Sequence, residues 1–362
     1  MKHKVNVILV AGLWLALTAA AWLLPPGAFS LSERRPLEQF PAITVSSLTS
    51  GRFMADFEDY ALDQFPLRDS FRTVKALFHT HILGQRDNNG IYLAEGMAAK
   101  QEYPLKEASL TRAAERFTLL YDKYLEGSNI WFAVVPNKGT YLAEDSGHLT
   151  LDLPQMQRFF REALPWAEHI DLTQALSAGD YYRTDTHWRQ ENLLKAAGVL
   201  CQALEIPVPR QEDYTLTSLE RPFYGVYYGQ AALPMEPETM YLLESELLRD
   251  CRVYDYETGQ YADVYDRKKL DSRDLYDVFL SGSRSLLTIE NPHGEPGREL
   301  ILFRDSFGSA IAPLLVQGYS RITLVDIRYI QIPMLSRHLD FHGQDVLVLY
   351  STLVLNNSET IQ

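Results

Sequence analysis

The stretch Leu300-Ile301-Leu302-Phe303-Arg304-Asp305-Ser306-Phe307-Gly308 decides the fold, because an apolar run passes directly into a polar turn. The run from Leu300 to Phe303 is typical of a strand buried on both faces of a parallel sheet. Small and apolar residues from Ser309 to Val316 then indicate a helix. A turn between strand and helix exposes side chains at the carboxyl edge of a sheet, where open α/β sheets bind ligands. Ser306 is therefore a candidate nucleophile, with a helix cap at Ser306 or Asp305 as the alternative.

Other apolar runs predict further strands of the same sheet, at Ile130 to Val135, Ile322 to Val325 and Val346 to Leu349. Helical stretches separate several of these runs. The alternation predicts a three-layer α/β domain with a mainly parallel sheet. Residues 210–298 are rich in tyrosine and acidic residues, and we expect them to form an elaboration of this domain.

A candidate base and a candidate carboxylate for activating Ser306 occur in the segment Thr184-Asp185-Thr186-His187-Trp188. A serine hydroxyl needs a general base to attack, and an imidazole serves well when a carboxylate fixes its tautomer. Asp185, His187 and Ser306 thus form a candidate triad, since triads follow geometry and not chain order. The alternative interpretation makes Asp185 the N-cap of a helix from Gln190 and His187 a surface residue.

Two more polar segments follow predicted strands and are candidates for substrate binding. Asn137 and Lys138 come directly after the strand that ends at Val135, and a solvated turn is the alternative. Arg328 and Tyr329 follow the strand that ends at Val325. Arg328 would orient a carbonyl or an anionic group, or else form a structural salt bridge.

The N-terminus predicts a membrane helix, because Val5 to Leu24 is almost wholly apolar and long enough to span a bilayer. Lys2 and Lys4 precede it and orient the N-terminus to the cytoplasm. We therefore expect an anchor over 1–27, a linker over 28–52 and the main domain over 53–362. The alternative is a cleaved signal peptide and a secreted protein.

The composition argues against several classes of partner and cofactor. The formal net charge of -13 argues against a nucleic-acid partner, which would require clustered cations. Cys201 and Cys251 fit an exported protein either as one disulfide or as buried thiols, and the apolar helix around Cys201 favours a thiol. No metal site and no cofactor are predicted, because the histidines are scattered and Cys-X-X-Cys is absent.

Several short motifs, taken together in order and spacing, resemble the DHHW family, which is similar to the alginate O-acetylation proteins of the SGNH hydrolase superfamily. The motifs are Phe40-Pro41, Asp56-Phe57-Glu58, Asp63-Gln64-Phe65-Pro66-Leu67-Arg68, Asn89-Gly90-Ile91-Tyr92, Val135-Pro136-Asn137-Lys138, Thr184-Asp185-Thr186-His187-Trp188, Phe223-Tyr224-Gly225, Arg304-Asp305-Ser306-Phe307 and Asp326-Ile327-Arg328-Tyr329.

The resemblance implies an extracytoplasmic SGNH-hydrolase-like domain with Ser306 as nucleophile, His187 as base and Asp185 as orienting acid. It further implies O-acetyl transfer to, or removal from, an exported polysaccharide through an acyl-Ser306 intermediate. A membrane-bound O-acyltransferase is the implied source of the acetyl group.

Two positions depart from the family pattern. Relatives carry glycine where Arg304 stands, and Ser283 occupies the place of an asparagine that would donate to the oxyanion. Losing one such donor costs roughly 10²–10³-fold in rate. The alternative function is therefore a catalytically weak or inactive membrane-tethered protein that binds glycan or acts as a scaffold in a polysaccharide-modification complex.

Overall fold

Residues 2–30, 32–272 and 274–362 are described by a computed structural model. The contacts divide the chain into two units. One unit comprises Met1–Gly90 with Tyr228–Met235, and the other comprises Ile91–Tyr227 with Glu236–Gln362. The division after Gly90 falls inside the stretch 53–362 that the sequence analysis treats as one domain.

The first unit is mainly helical. Its long apolar helix has a span of Lys4–Leu23 with mean hydropathy 1.9, enough by length and composition to cross a membrane. Residues 28–52, expected as a linker, contain two short strands and a short helix. The elements are α1 (Lys2–Leu23), β1 (Phe29–Ser30), β2 (Arg35–Pro36), α2 (Val45–Thr49), α3 (Arg52–Asp63) and α4 (Arg68–Leu77), the last continued by a π-helical turn, Phe78–Ile82.

Ion pairs fix the turn between α3 and α4. Asp63 accepts two hydrogen bonds from Arg35, at 2.7 and 2.6 Å. Glu33 pairs with Arg68 at 2.6 Å and with Arg72 at 3.0 Å. Pro66 lies in the break between the two helices, and these contacts explain why charged residues flank it.

The second unit holds the main sheet. Its elements are β3 (Ile91–Ala94), β4 (Met97–Lys100), α5 (Glu107–Leu120), β5 (Ile130–Val135), α6 (Gly139–Ser146), α7 (Leu153–Ala163), β6 (Glu168–Asp171), α8 (Leu194–Ala203), β7 (Thr215–Phe223), α9 (Val226–Ala231, which runs into the first unit), β8 (Glu238–Glu244), α10 (Glu246–Asp250), β9 (Arg252–Asp255), β10 (Gln260–Ala262), β11 (Leu286–Glu290), β12 (Glu299–Arg304), α11 (Phe307–Ile311), β13 (Arg321–Val325), β14 (Asp345–Ser351) and α12 (Thr352–Leu355).

The main sheet has eight strands in the order β10-β9-β11-β13-β12-β14-β5-β6. The run from β13 to β6 is parallel, with Leu302 opposite Leu347 across β12 and β14. Successive β12 side chains alternate between two cores, because Phe303 packs with α5 and α7 whereas Leu302 packs with α6, α8 and α11. The predicted three-layer α/β fold with a mainly parallel sheet, preceded by an N-terminal apolar helix, is confirmed.

The stretch 210–298 contributes more to the sheet than its composition suggests. It supplies β9, β10 and β11, which join the sheet in antiparallel pairing. It also supplies β7 and β8, which form a separate antiparallel pair. This stretch is therefore part of the main sheet as well as an elaboration on it.

The two cysteines are free thiols. Cys201 and Cys251 are both buried and unpaired. Burial raises the pKa of each thiol to about 12, so neither forms a thiolate readily at neutral pH. Both fill the core as small apolar side chains.

Candidate active site

The candidate site lies at the carboxyl ends of β5, β12 and β14, which are neighbours in the sheet. Ser306 follows β12 by two residues and is half-buried, with φ of -61° and ψ of -23°. The short helix α11 begins at the next residue. The hydroxyl therefore stands where the strand-to-helix turn was expected to expose it.

Asp185, His187 and Ser306 form a continuous hydrogen-bonded chain. His187 Nε2 lies 2.7 Å from Ser306 Oγ, and His187 Nδ1 lies 2.6 Å from Asp185 Oδ1. Asp185 is fully buried, and its second carboxylate oxygen accepts the Val226 N–H at 2.7 Å. This arrangement holds the imidazole with Nδ1 protonated and Nε2 directed at the hydroxyl, the geometry a general base requires.

The segment around Asp185 is a tight loop and not a helix start. Helix α8 begins only at Leu194, after a 3₁₀ turn over Gln190–Asn192. Asp185 Oδ1 accepts the His187 N–H at 3.0 Å, so the carboxylate fixes its own loop. The interpretation of Asp185 as a helix cap is wrong, and so is that of His187 as a surface residue, since His187 is buried.

Gly225 explains the Phe223-Tyr224-Gly225 motif. A Cβ atom at Gly225 would lie 2.3 Å from Asp185 Cβ and 2.3 Å from the Thr184 carbonyl oxygen, so only glycine fits there. The Gly225 N–H donates to Thr184 Oγ1 at 2.9 Å. Glu238, which sequence reasoning missed, accepts the N–H groups of Arg183 and Thr184 at 2.9 Å each. The loop that carries Asp185 is thus held from two sides.

Lys138 also supports the loop that carries Asp185. It is almost completely buried, and its Nζ donates to the carbonyl oxygens of Tyr182 at 2.7 Å, Asp185 at 2.7 Å and Arg183 at 3.2 Å. Burial lowers the pKa of Lys138 to about 7, while the charges of Asp185 and Glu238 act in the opposite direction. All three ammonium protons are used within the protein, so the structure does not present Lys138 as a substrate ligand.

Replacing Lys138 with methionine keeps the apolar stem and removes the donors to the loop. We expect kcat to fall roughly 10²-fold, because small displacements of catalytic groups carry losses of that size. The free energy of unfolding should fall by about 1–3 kcal/mol, since buried carbonyls lose their partner. The measurements are steady-state kinetics and chemical unfolding, with the exposed Lys123→Met as control. Wild-type kcat in Lys138→Met would contradict this role.

The side chain of Asn137 is hydrogen-bonded to the buried carboxyl group of Glu102. Its Nδ2 donates to Glu102 Oε2 at 2.6 Å, and its Oδ1 accepts the Gly139 N–H at 2.5 Å. Thr352 donates to the same Glu102 oxygen at 2.8 Å. Burial raises the pKa of Glu102 to about 7, against the lowering effect of these two hydrogen bonds. Asn137 therefore links the end of β5 to the end of β14 and does not point at a substrate.

The raised pKa of Glu102 predicts a pH dependence of stability. The folded state holds a proton that the unfolded state releases between pH 4.5 and about 7, so stability is lost as the pH rises through this window. Glu102→Gln should abolish this loss, which is on the order of 3 kcal/mol for the wild type. Chemical unfolding at several pH values tests this, with the exposed Glu115→Gln as control. Parallel pH profiles for wild type and Glu102→Gln would contradict it.

The turn that carries Ser306 is held by Asp305 and Trp188. Asp305 accepts the Phe307 N–H at 3.0 Å and the Ser351 N–H at 2.8 Å, so its carboxylate is engaged by backbone groups of the turn and of β14. Trp188 is fully buried and donates from Nε1 to the Phe307 carbonyl oxygen at 3.2 Å. Trp188, which follows His187 in the chain, thereby positions Phe307, which follows Ser306.

Arg304 lies under this turn. Its side chain is 1% exposed, and its nearest carboxylate oxygen is on Asp326, 3.9 Å from Nη1. A Cβ atom at Gly308 would lie 2.5 Å from Arg304 Cβ, so the arginine stem fills the space that glycine leaves. Asp326 is paired more closely with Arg328, at 2.7 Å. Arg304 therefore packs in the core beside an ion pair, where it does not block the hydroxyl.

The remaining candidates lie apart from the hydrogen-bonded chain. Arg328 Nε and Nη2 bind both oxygens of Asp326, which is the salt bridge given as the alternative. Tyr329 is 55% exposed, with its ring beside the Arg328 guanidinium. Ser283 is exposed on a turn that begins with Ser281 and Gly282, both at positive φ. Among the residues that the structure describes, none of these three side chains forms a hydrogen bond or an ion pair with Ser306.

Tyr276 forms a wall of the site that sequence reasoning missed. Its ring stacks on the His187 imidazole, with 3.9 Å between ring centroids and 11° between planes. Phe307 contacts the imidazole from another direction, at 5.2 Å. These rings limit the motion of His187 and exclude water from one face. Across the residues that the structure describes, no group of three or more His, Cys, Asp or Glu side chains is arranged to hold a metal ion.

The second unit is thus a mixed α/β domain with serine, histidine and aspartate joined at the carboxyl edge of its sheet. The DHHW protein family model matches residues 175–325, which include all three residues. The resemblance to the DHHW family is therefore confirmed. No curated protein matches the chain by sequence.

Several solved structures resemble this chain, and those with TM-scores above 0.5 share its fold. A DHHW family protein from Eubacterium siraeum matches with 21% identity and a TM-score of 0.63, over 76% of this chain and 95% of that chain. Bacillus cereus PatB1, solved with a sulfonyl adduct, matches with 17% identity and a TM-score of 0.58, over 73% and 97%. The O-acetyltransferase domain of Pseudomonas putida AlgJ matches with 14% identity and a TM-score of 0.43, over 74% and 92%.

Proposed function

We propose that this protein is a membrane-anchored, extracytoplasmic serine O-acetyltransferase that acts on a cell-surface polysaccharide. The observation that carries the proposal is the unbroken chain from Asp185 through His187 to Ser306, with both hydrogen bonds at 2.6–2.7 Å. Lys138 and Gly225 both contact the loop that carries Asp185 and support this hydrogen-bonded chain. The similarity to DHHW proteins supports the same assignment.

The reaction follows in two transfers. Ser306 Oγ attacks the acetyl carbonyl of the donor while His187 Nε2 takes its proton, and the proton then passes to the departing donor oxygen. A sugar hydroxyl next attacks acetyl-Ser306, with His187 Nε2 accepting its proton. Collapse releases the acetylated sugar and returns the proton to Ser306 Oγ. Water in place of the sugar hydroxyl gives an acetylesterase instead.

The oxyanion of each tetrahedral intermediate needs donors near Ser306. In the described residues, the N–H groups of Phe307 and Gly308 are bonded to Asp305, whereas no acceptor is paired with the Ser306 N–H. We assign the Ser306 N–H as one donor. Ser283 has a shorter reach than the asparagine donor whose place it takes, so we expect a weakened second oxyanion donor and a modest rate.

The apolar helix α1 suits a single-pass anchor with the N-terminus in the cytoplasm and the chain after α1 outside. An integral-membrane O-acyltransferase is then the natural acetyl donor, since activated acetyl groups originate on the cytoplasmic side. A secreted form after signal cleavage would keep the same chemistry.

Transfer is separated from hydrolysis by following the acetyl group. The full chain is incubated in detergent with p-nitrophenyl acetate and with neutral, N-acetylated or uronate-bearing oligosaccharides, and products are measured by mass spectrometry. We expect acetylated oligosaccharide with at least one acceptor class and none with Ser306→Ala. Free acetate alone would assign an esterase. Absence of both products from the folded wild type would favour the scaffold function.

A further inference from the structure

The first unit carries an apolar stripe that faces outward. Leu67, Phe71, Val74, Phe78 and Ile82 are exposed by 68, 46, 63, 50 and 70%, respectively. Phe71, Val74, Phe78 and Ile82 recur every three or four residues along α4 and the π-helical turn that continues it, so they share one helix face, and Leu67 is the N-cap residue directly before α4. Soluble proteins rarely leave a whole apolar helix face in water.

The opposite face of this helix is already occupied. Ala76 is fully buried there. On the adjoining side, Arg68 and Arg72 pair with Glu33, and Arg72 also donates to the Gly229 carbonyl oxygen at 2.8 Å. The helix is therefore packed into its unit by its polar and small side chains. Within the apolar stripe, Phe71 also contacts Phe65 edge-on, with 5.5 Å between ring centroids, while the exposed surface of the stripe stays available for another partner.

Cationic groups border the apolar stripe. Lys75 is exposed beside it. Lys75 also lines a surface hollow of about 460 Å³ with His79, Arg86 and Asp87. Apolar side chains next to such cations are the pattern of helices that lie at a membrane surface, where the cations meet lipid phosphates.

We propose that the apolar stripe lies in the interface of the lipid bilayer that α1 spans, with the axis of α4 parallel to the membrane. The proposal rests on the membrane anchor proposed above. Helix α1 belongs to the same unit as α4, so the anchor keeps the stripe within reach of the bilayer. The occupant is the lipid surface itself, with anionic headgroups at Lys75.

Depth-dependent fluorescence quenching tests this on the full chain in vesicles of phosphatidylcholine and phosphatidylglycerol. Val74→Cys and Phe78→Cys carry an NBD label, and Cys201 and Cys251 stay unlabelled because they are buried. Asp69→Cys is the matched control, since Asp69 is exposed on another face of the same helix. We expect brominated lipids to quench the labels at 74 and 78 several-fold more strongly than the label at 69.

Equal quenching at all three positions, or none, would overturn the proposal. Absence of quenching together with Val74→Cys crosslinks between two chains would assign the stripe to a dimer contact instead. Failure of the full chain to float with the vesicles would reject the anchor and the stripe together. Acetylation of Ser306 in detergent is independent of all these outcomes, so the enzymatic proposal stands or falls separately.

Discussion

Replacing Ser306 with alanine is expected to lower kcat/KM for acetyl transfer or ester hydrolysis by about 10⁴-fold or more. In the proposed mechanism, the Ser306 hydroxyl is the group of the hydrogen-bonded chain that forms a covalent bond to the acetyl group. His187 then retains its place but has no nucleophile to activate. The measurement is initial rates with p-nitrophenyl acetate, in the presence and absence of an oligosaccharide acceptor.

Ser309→Ala is the matched control for Ser306→Ala. Ser309 is buried in α11, three residues further on, and changing it leaves the chain from Asp185 to Ser306 intact. We expect Ser309→Ala to keep a rate within a few-fold of the wild type. Comparable activity in Ser306→Ala and the wild type would remove Ser306 from the mechanism.

Asp185→Asn is expected to lower kcat by roughly 10⁴-fold while leaving the fold intact, as for the equivalent change in serine proteases. Asp185 accepts from three donors: the N–H groups of His187 and Val226, and His187 Nδ1. An asparagine side chain has one acceptor oxygen, so one of these donors must meet an NH₂ group. When the NH₂ group takes the position of Oδ1, the imidazole adopts the wrong tautomer and loses its ability to take the serine proton.

Asp152→Asn tests whether a generic loss of negative charge explains the result. Asp152 caps α7 by accepting the Gln155 N–H at 2.7 Å, and asparagine is an equally good cap. We expect wild-type kcat and stability for Asp152→Asn. A small effect of Asp185→Asn, similar to that of Asp152→Asn, would show that the carboxylate does not orient His187.

The central strands could be predicted from the sequence because their side chains are buried on both faces. The run Ile130–Val135 forms β5 over the same residues, and Leu300 to Phe303 lies within β12. The antiparallel strands β9 and β10 were not found, since Arg252 and Gln260 interrupt any apolar run there. Strands of three or four residues with polar ends are too short to give a continuous apolar run or a clear alternation.

The contacts of the residues that support the site were harder to predict from the sequence than the grouping of Asp185, His187 and Ser306. Lys138 reaches carbonyl groups 44–47 residues further along the chain, and Glu238 binds N–H groups 54–55 residues before it. Nothing in the local sequence of either residue indicates burial. The Phe223-Tyr224-Gly225 motif gave a signal through the family resemblance, but its cause, the close approach of Gly225 to Asp185, requires the folded chain.

The proposed mechanism requires Ser306 to carry the acetyl group during turnover. This is tested most directly by stopping the reaction with p-nitrophenyl acetate by adding acid and then analysing the peptides of the enzyme by mass spectrometry. We expect one acetyl group on the peptide that contains Ser306 in the wild type, and none in Ser306→Ala. We also expect much slower acetylation in Asp185→Asn. An acetyl group on another residue, or a folded wild-type enzyme that turns over the ester without acetylating Ser306, would contradict the account.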